Sequence, residues 1–501
     1  MDSARNPVTF HEYGNYIGGS ETAAVAGRCF VATNPTTGAP WGSFADSDAS
    51  DVDAAVQAAS RAFGSGAWPA LSANKRGRLM MRWGDEIAQH SQLIARLESE
   101  QNGKLMSELQ SQARVAQDWL YYFGGLADKV QGDVVPVERP SILNYTLREP
   151  LGVVGVIVPW NSPTMVMMMA AAPALAAGCT IVIKPSEVAS ASAVELAKLA
   201  KRAGFPPGVI NVVTGMKAAG EALVDHPLVA KINFTGGEAG GRAVATGVGK
   251  RLASCVLELG GKSPNIVFAD ADLDAAEAGV LTGIFAAAGQ SCVAGSRAYV
   301  QRDIYDELVQ RLVRRTRDIR VGDPTHANTQ MGPIATMAQL EKDESMVKRA
   351  VAEGGSLLCG GQRLSVDGLP DGFFFSPTIV EIRKPENFLI QNEVFGPVLT
   401  VTPFSDDDEV VALANGTAFG LAAGVWTQNF GRAHLMARRL QAGTIWLNTY
   451  RTLTYSSPFG GHKSSGIGRQ NGIDAIFQYL QSKSVWCELS NEVQDPFVVK
   501  L

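Results

Sequence analysis

Short runs of apolar, β-branched residues alternate with alanine-rich amphipathic stretches from residue 152 onward, and this alternation constrains the fold most strongly. Strands separated by helical stretches of this length are typical of βαβ units in a parallel sheet. The same alternation returns between residues 276 and 447, which predicts a second α/β unit. Sheets of this kind bind ligands at the carboxyl ends of their strands. The predicted strands of the first unit are residues 152–158, 180–183, 209–213, 231–234 and 254–259.

The N-terminal part of the chain has a different pattern. Residues 52–100 and 108–128 have helical periodicity, whereas residues 132–150 alternate between polar and apolar side chains. This alternation predicts a β-hairpin, and residues 482–489 alternate in the same way, so they are expected to add a strand to it. Exposed sheet edges of this kind are often closed by a partner subunit.

Charge and cysteine content exclude several classes of protein. A net charge of −5 without a basic tail argues against nucleic acid as a partner. The six cysteines lie far apart and form no CxxC pair, which argues against a metal site and a disulfide framework. Free thiols are expected in a reducing compartment such as the cytoplasm, and residues 1–6 lack the pattern of a signal peptide.

One uncharged stretch, residues 163–183, is long enough to cross a bilayer. Pro163, Pro173 and Gly178 interrupt it, and its end is β-branched like a buried strand. We therefore expect a buried helix, a turn and a strand there, and not a membrane span.

Three residues are candidates for chemistry at a carbonyl group, which requires a nucleophile, a base and oxyanion donors. Cys292 lies among small residues and is a candidate nucleophile, although most lone cysteines are buried structural thiols. Glu258 follows an apolar run, where burial would raise its pKa and make it a base; a surface glutamate at a strand end is the alternative. Asn161 follows a predicted strand and is either an oxyanion donor or a turn-forming residue.

Seven segments, in order along nearly the whole chain, resemble the aldehyde dehydrogenase superfamily. The resemblance implies an NAD(P)-dependent enzyme of the hydrolytic, non-acylating type that oxidises an aldehyde to a carboxylic acid. It implies that Cys292 is the nucleophile that forms a thioester, Glu258 the general base, and Asn161 with the Cys292 N–H the oxyanion donors, without a metal. The segments are PWN at residues 159–161, KPSE at 184–187, FTG at 234–236, ELGGK at 258–262, GQSC at 289–292, EVFGP at 393–397 and PFGG at 458–461.

The same resemblance implies an α/β fold with three parts. A variant Rossmann cofactor-binding domain is expected at residues 1–131 and 151–260, and an α/β catalytic domain at residues 261–461. A β-hairpin oligomerisation arm is expected at residues 132–150 and 482–501. The protein is therefore expected to be a homodimer or a homotetramer.

A GxGxxG fingerprint after the first strand is absent, but the glycine-rich run at residues 236–241 follows a predicted strand and opens a helix. Its amides would cradle a pyrophosphate; a glycine turn without a ligand is the alternative. By resemblance, Gly236 and Gly241 match the family's helix-opening positions, whereas Gly237 stands where many relatives carry serine, which puts one phosphate contact in doubt. The other cofactor contacts that the resemblance implies are Lys184 and Glu187 at the adenosine ribose, Glu393 at the nicotinamide ribose, and Trp160 and Phe395. A carboxylate at Glu187 accepts from a 2′-hydroxyl and repels a 2′-phosphate, so NAD is favoured over NADP.

The aldehyde pocket is also predicted by resemblance. Many relatives carry large aromatic residues at the positions of Ser162 and Met169, so a wider and softer pocket is expected. Arg451 is expected near the tunnel mouth, where it would favour polar or anionic substrates; a solvated or paired surface arginine is the alternative. The residues expected around the substrate are Ser162, Val166, Met169, Ser291, Val293, Arg451 and Phe459.

Three other functions are alternatives to hydrolytic oxidation. A CoA-acylating aldehyde dehydrogenase commonly lacks the glutamate base, so Glu258 argues against it. A non-enzymatic scaffold would need none of Cys292, Glu258 and Asn161. A reductase that converts acid derivatives to aldehydes would use the same site, but hydrolysis of the thioester makes oxidation effectively irreversible.

Overall fold

A computed structural model describes residues 10–491 and residue 497. Its first helices confirm the helical periodicity at residues 52–100 and 108–128, whereas the short strands that precede them were not predicted. In chain order the first elements are β1 (His11–Tyr13), β2 (Asn15–Ile17), β3 (Ser20–Thr22), β4 (Cys29–Thr33), β5 (Pro40–Ala45), α1 (Ala49–Gly64), α2 (Ala67–Ala70), α3 (Ala73–Gln89), α4 (Ser91–Asn102), α5 (Met106–Leu126), β6 (Val134–Val135) and β7 (Ile142–Pro150).

The remaining elements alternate between strands and helices, as predicted. The first group is β8 (Val153–Val158), α6 (Pro163–Ala177), β9 (Thr180–Pro185), α7 (Ala191–Ala203), β10 (Ile210–Val212), α8 (Lys217–Asp225), β11 (Val229–Thr235), α9 (Glu238–Lys250) and β12 (Ser254–Glu258). The second group is β13 (Pro264–Val267), α10 (Leu273–Phe285), β14 (Arg297–Gln301), α11 (Tyr305–Arg317), α12 (Met337–Ala352), β15 (Ser356–Cys359), β16 (Thr378–Glu381), α13 (Phe388–Gln391), β17 (Val398–Phe404), α14 (Asp407–Asn415), β18 (Phe419–Gly420), β19 (Ala422–Trp426), α15 (Phe430–Arg439), β20 (Thr444–Leu447), β21 (His462–Lys463), β22 (Gly466–Ile467) and β23 (Leu480–Glu488).

The first large sheet has the strand order β22-β12-β11-β8-β9-β10-β2-β3. Its five central strands, from β12 to β10, are parallel, whereas β22 and β2 pair with them antiparallel. From β8 the chain runs outward through β9 and β10, then returns to the other side of β8 to form β11. The carboxyl ends of β8 and β11 therefore flank a topological switch point, the usual place for a ligand crevice.

The second large sheet has the order β15-β16-β17-β14-β13-β19-β20. All its strand pairs are parallel except β15 with β16. This sheet confirms the second α/β unit, although its first strand, β13, begins before the predicted start at residue 276. Separate clusters of buried apolar side chains pack against the two sheets, two clusters for each sheet, as expected for a chain of this length.

A third sheet has the order β23-β7-β6 and is antiparallel throughout. It contains the predicted hairpin at residues 132–150, and the predicted tail strand pairs with β7 from Leu480 to Glu488. The part of the predicted arm at residues 492–496 and 498–501 lies outside the described residues.

The uncharged stretch at residues 163–183 forms a buried helix, a turn and a strand, as predicted. α6 begins at Pro163, whose fixed φ suits the first helical turn, and ends at Gly178, which has a left-handed φ of 102°. Almost every side chain of α6 is buried against other parts of the protein. Among the residues that the structure describes, no helix combines the length and apolar character needed to span a bilayer.

Candidate active site

A cavity of about 450 Å³ lies at the switch point of the first sheet. Segments that follow β8, β11 and β12 form one part of its wall, and residues that follow α10 and β20 form another. It brings together the three candidate catalytic residues, all seven predicted substrate residues and four predicted cofactor residues. These are Cys292, Glu258 and Asn161; Ser162, Val166, Met169, Ser291, Val293, Arg451 and Phe459; and Trp160, Gly236, Glu393 and Phe395.

The loop before Cys292 has an unusual backbone. Ala287, Ala288 and Gly289 have left-handed φ angles of 55°, 52° and 70°. At Gly289 a side chain is also excluded by space, because a Cβ would lie 2.1 Å from the carbonyl oxygen of Gly396. The side chain of Gln290 then fixes the position of the loop, since its Oε1 accepts a hydrogen bond of 2.8 Å from the Ala335 amide. Strained residues of this kind cluster at functional sites.

Cys292 is half-buried at the cavity wall, and its thiol is held in the neutral form. Burial and, to a smaller extent, the carboxyl groups of Glu393 and Glu258 raise the pKa of this thiol to about 12, and the charge of Arg451 opposes the shift only in part. The backbone amide of Cys292 has no hydrogen-bond partner among the described residues. This amide is therefore available as a donor next to the thiol.

Asn161 reaches the Cys292 loop from the end of β8. Its Nδ2 donates a hydrogen bond of 3.0 Å to the carbonyl oxygen of Gln290. A side-chain amide nitrogen carries two protons, so one remains for a ligand. The turn-forming alternative does not describe this side chain, because its amide bonds a segment 129 residues further along the chain.

A segment that the sequence analysis missed positions Asn161. Asn102 Nδ2 donates to the Trp160 carbonyl at 2.9 Å, while Lys104 Nζ donates to the Asn161 carbonyl at 3.3 Å and to Ser162 Oγ at 2.9 Å. Lys104 also lines the cavity, and burial lowers its pKa to about 8. No local motif marks these residues, which belong to the end of α4 and the turn that follows it.

Glu258 is the last residue of β12 and is 3% exposed. Its two carboxyl oxygens are buried and have no hydrogen-bond partner among the described residues. Burial raises the pKa of Glu258 well above its ordinary value, as the sequence analysis expected, and the charge of Arg469 opposes this only in part. A surface glutamate at a strand end is therefore excluded.

Glu393 approaches the backbone between Glu258 and the cysteine loop. Its Oε1 accepts a hydrogen bond of 2.9 Å from the Gly261 amide, and a Cβ on Gly260 would lie 2.1 Å from its Oε2. Burial raises the pKa of Glu393 to about 7. The ring of Phe395, which follows in the chain, meets Trp160 edge to face at 5.4 Å.

The start of α9 is open for an anion. Gly237 precedes the helix and supplies no side-chain cap, so the first helical amides lack partners from that side chain. Thr235 Oγ1, on the cavity wall, is buried and has no hydrogen-bond partner among the described residues. Gly241 lies deeper: its amide donates to the Gly237 carbonyl, and a Cβ there would meet Leu259 at 2.5 Å. Position 241 requires a glycine because α9 packs closely on β12, and Gly241 does not line the cavity.

Lys184 and Glu187 lie at the end of β9, outside the cavity wall. They form an ion pair of 3.6 Å, in which the side chain of Lys184 is nearly buried and that of Glu187 is 43% exposed. The Glu187 carboxylate is therefore accessible to a ligand at the same edge of the sheet.

Arg451 lies on the cavity wall and is half-buried, so a solvated surface arginine is not what the structure contains. Its Nη1 donates to the Ala286 carbonyl at 3.2 Å, and it makes no ion pair with a described residue. Further wall residues had no motif to mark them and come from distant elements; they are Gln112 on α5, Gln339 and Lys342 on α12, Leu453 and Gln470.

All six cysteines are free thiols. Within the described residues, no group of three or more His, Cys, Asp or Glu side chains lies close enough to hold a metal ion.

Comparison with known proteins agrees with the geometry of the site. The sequence model of the "Aldehyde dehydrogenase family" matches residues 22–485. The chain belongs to the aldehyde dehydrogenase family. The expected α/β fold and the expected class of enzyme, an NAD(P)-dependent aldehyde dehydrogenase, are thereby confirmed.

Its relatives match along almost their whole length. The chain is 43% identical to (Z)-2-((N-methylformamido)methylene)-5-hydroxybutyrolactone dehydrogenase of Acinetobacter baylyi, over 94% of this chain and 96% of that protein. It is 40% identical to betaine aldehyde dehydrogenase of Brucella melitensis, over 96% and 98%. The NAD+ complex of an aldehyde dehydrogenase from Bacillus cereus superposes with a TM-score of 0.93 at 38% identity, over 96% and 97%.

Proposed function

We propose that this protein oxidises an aldehyde to the carboxylic acid with NAD+, through a thioester on Cys292 that water hydrolyses with the help of Glu258. The observation that carries the proposal is the convergence of Cys292, Glu258 and Asn161 on one cavity. The three residues come from different elements, and each has a hydrogen-bonding or nucleophilic group that no described residue uses.

The first step is addition of Cys292 to the aldehyde carbon. The thiol is neutral at rest, so its proton must leave as the sulfur–carbon bond forms, and the buried Glu258 carboxylate is the base available on the cavity wall. The aldehyde oxygen takes up the negative charge. The free Cys292 amide and the second Nδ2 proton of Asn161 then hold this oxyanion.

The residues present fit a nicotinamide dinucleotide. The start of α9 has no side-chain cap, and the nearby Thr235 hydroxyl has no hydrogen-bond partner among the described residues, which suits a pyrophosphate. The exposed Glu187 carboxylate suits a ribose 2′-hydroxyl. Lys184 would support the adenosine ribose, and Glu393, Trp160 and Phe395 would hold the nicotinamide end. When bound, NAD+ accepts the hydride that leaves the tetrahedral adduct. Glu187 favours NAD+ over NADP+, because its charge repels a 2′-phosphate.

The second half of the reaction releases the acid. Glu258 first releases to solvent the proton that it took from Cys292, and it then takes a proton from water, whose oxygen bonds to the acyl carbon as the carbon–sulfur bond breaks. The Cys292 sulfur leaves with a proton, and the product is the carboxylic acid. A carboxyl group whose pKa is raised by burial is a stronger base than an exposed one, which suits this role.

The alternatives gain no support. The family match and the named relatives are dehydrogenases, and nothing in them favours CoA acylation or a scaffold.

We further propose that the chain works in the cytoplasm, since its cysteines are free, and as a homodimer or homotetramer joined through the third sheet. Val134, Leu147 and Trp486 on that sheet are exposed apolar residues that a partner subunit would cover.

The test is formation of NADH at 340 nm with a panel of aldehydes, in the absence of CoA. Wild type is expected to turn over, Cys292→Ala to lose all activity, and Glu258→Gln to slow both the first formation of NADH and steady-state turnover, because the same carboxylate serves both steps. A full steady-state rate in Glu258→Gln would exclude the glutamate as the base for hydrolysis. Turnover that appears only with CoA would replace the proposal with the acylating reaction.

A further inference from the structure

Two cationic side chains, Lys104 and Arg451, line the same cavity as Cys292, and the proposed mechanism assigns no role to the charge of either. Lys104 is 7% exposed and Arg451 is half-buried. Neither makes an ion pair with a described residue, and Lys104 bonds only uncharged oxygens of Asn161 and Ser162. Partly desolvated cations without a counter-ion are costly unless a ligand supplies the negative charge.

Arg451 is held with part of its guanidinium group unused. Only Nη1 has a protein acceptor, the Ala286 carbonyl, so Nε and Nη2 have no partner among the described residues. The backbone of Arg451 has a left-handed φ of 62°, which residues other than glycine rarely adopt. Its neighbours maintain this conformation: Tyr450 donates to the Val293 carbonyl at 3.1 Å, and Trp446 Nε1 donates to the Thr452 carbonyl at 2.9 Å.

The carboxyl groups near these cations do not neutralise the cavity. Glu108 influences both cations, but it does not line the cavity and its Oε1 accepts from the Ala287 amide at 3.2 Å. Glu98 is turned toward Thr164, whose amide donates to it at 2.9 Å. The two acids that do line the cavity, Glu258 and Glu393, both have raised pKa values. The wall that the structure describes carries three cationic side chains, Lys104, Lys342 and Arg451, against these two acids, so it presents more positive than negative charge.

Apolar side chains form a further part of the wall, together with polar ones such as Gln112, Ser162 and Gln470. Met165, Val166, Met169, Leu453 and Phe459 line it together with the two cations. Methionine side chains adapt to ligands of irregular shape. Such a pocket suits a molecule with an apolar body and a charged end.

We infer that the substrates of this enzyme are aldehydes with an apolar body and a carboxylate at the end remote from the aldehyde group. Arg451 binds that carboxylate through its free guanidinium N–H groups, and Lys104 adds a second positive charge. The inference rests on the proposed function, since it assigns the substrate class of the same site.

The experiment compares kcat/KM for matched pairs of aldehydes with NAD+ as the cofactor. The pairs are 6-oxohexanoate with heptanal, and 4-carboxybenzaldehyde with 4-methylbenzaldehyde. Wild type is compared with Arg451→Gln and Arg451→Lys, and with Leu453→Ala as a matched control that alters the same wall without changing charge. Thermal unfolding of each variant shows that it is folded.

The quantity of interest is the ratio of kcat/KM for the carboxylated and the uncharged member of each pair. Wild type is expected to favour the carboxylated member, and Arg451→Gln to lower the ratio about 10- to 100-fold, the usual effect of losing a charged hydrogen bond. Arg451→Lys should retain part of the ratio, because lysine keeps the charge but not the planar fork. Leu453→Ala should change both members of each pair similarly.

Three results would overturn the inference: a wild-type ratio near one, an unchanged ratio in Arg451→Gln, or equal losses for both members of each pair. The last result would mean that Arg451 serves only to stabilise the Cys292 thiolate. Failure of the proposed function is recognised separately, because wild type would then oxidise no aldehyde of either kind with NAD+.

Discussion

Replacement of Gly260 by alanine tests whether the position of Glu393 controls cofactor binding. The new Cβ would lie 2.1 Å from Glu393 Oε2 and 2.6 Å from its carboxyl carbon. Non-bonded heavy atoms pack at about 3.5–4.0 Å, so the carboxylate has to move by more than about 1 Å. It then leaves the Gly261 amide, from which it now accepts a hydrogen bond of 2.9 Å.

The size of the effect follows from the lost contact. Glu393 is proposed to hold the nicotinamide end, and a displaced carboxylate loses that contact; a hydrogen bond to a charged group contributes about 1.5–3 kcal/mol, so we expect the Kd for NAD+ to rise about 10- to 100-fold. The φ angle of Gly260 is not in the left-handed region, so alanine is allowed by the backbone and the clash with Glu393 is the main perturbation. The melting temperature should change little, because a carboxylate at a cavity wall can move toward the cavity.

The assay is titration of NAD+ by quenching of intrinsic fluorescence, with thermal unfolding measured in parallel. Gly220→Ala is the matched control: it lies within α8, and an added Cβ there meets no atom within 4 Å. The control should keep the wild-type Kd and gain about 0.5–1 kcal/mol of stability, the usual advantage of alanine in a helix. If Gly260→Ala binds NAD+ as tightly as wild type, the proposed role of Glu393 is wrong.

Three further predictions concern ionisation and positioning. Alkylation of Cys292 by iodoacetamide in the cofactor-free enzyme should rise about tenfold per pH unit from pH 6 to pH 9, because the pKa of this thiol is about 12; a plateau below pH 9 would contradict this. Asp343→Asn should raise the melting temperature more at pH 9 than at pH 5. Burial raises the pKa of Asp343 to about 8, above its value in the unfolded chain, so the wild-type protein loses stability as the pH rises from about 4 to 8 and the amide does not; equal gains at both pH values would refute the argument. Lys104→Met removes the bonds to Asn161 and Ser162 and should lower kcat about tenfold with the Kd for NAD+ within about threefold; single-turnover kinetics check this, and an effect confined to NAD+ binding would contradict it.

The long periodic segments could be predicted from the sequence because their hydrophobic pattern is local. β9 was expected at residues 180–183 and extends from Thr180 to Pro185, and the hairpin and tail strand were also found. Strands of two or three residues could not be predicted in this way. β22 exists because Gly466 and Ile467 pair with the end of β12, and nothing in their own sequence indicates that partner.

The candidate site shows the same division between local and distant information. Short motifs identified Asn161, Glu258 and Cys292, and the fold brings these residues to one cavity. Lys104 and Gln339 could not be found, because their place on the wall depends on how α4 and α12 pack and not on any adjacent motif. The environment of Arg451 could not be predicted either, since its intermediate burial and its place on the cavity wall depend on segments distant in the sequence.

Burial raises the pKa of both groups on which the proposed mechanism depends, but the two shifts have opposite effects on reactivity. It raises the pKa of the Cys292 thiol, so that little thiolate exists before the substrate binds, and it also raises the pKa of Glu258. The second effect offsets the first, because a more basic carboxylate accepts the thiol proton more readily. The two ionisations are also coupled, since a negative charge on either group disfavours a negative charge on the other. Proton transfer from Cys292 to Glu258 moves one negative charge from the carboxylate to the sulfur and leaves the total charge of the pair unchanged. An arrangement of this kind keeps the resting cysteine protected from adventitious electrophiles, and the same glutamate, once it has lost its proton, is ready to activate water for hydrolysis.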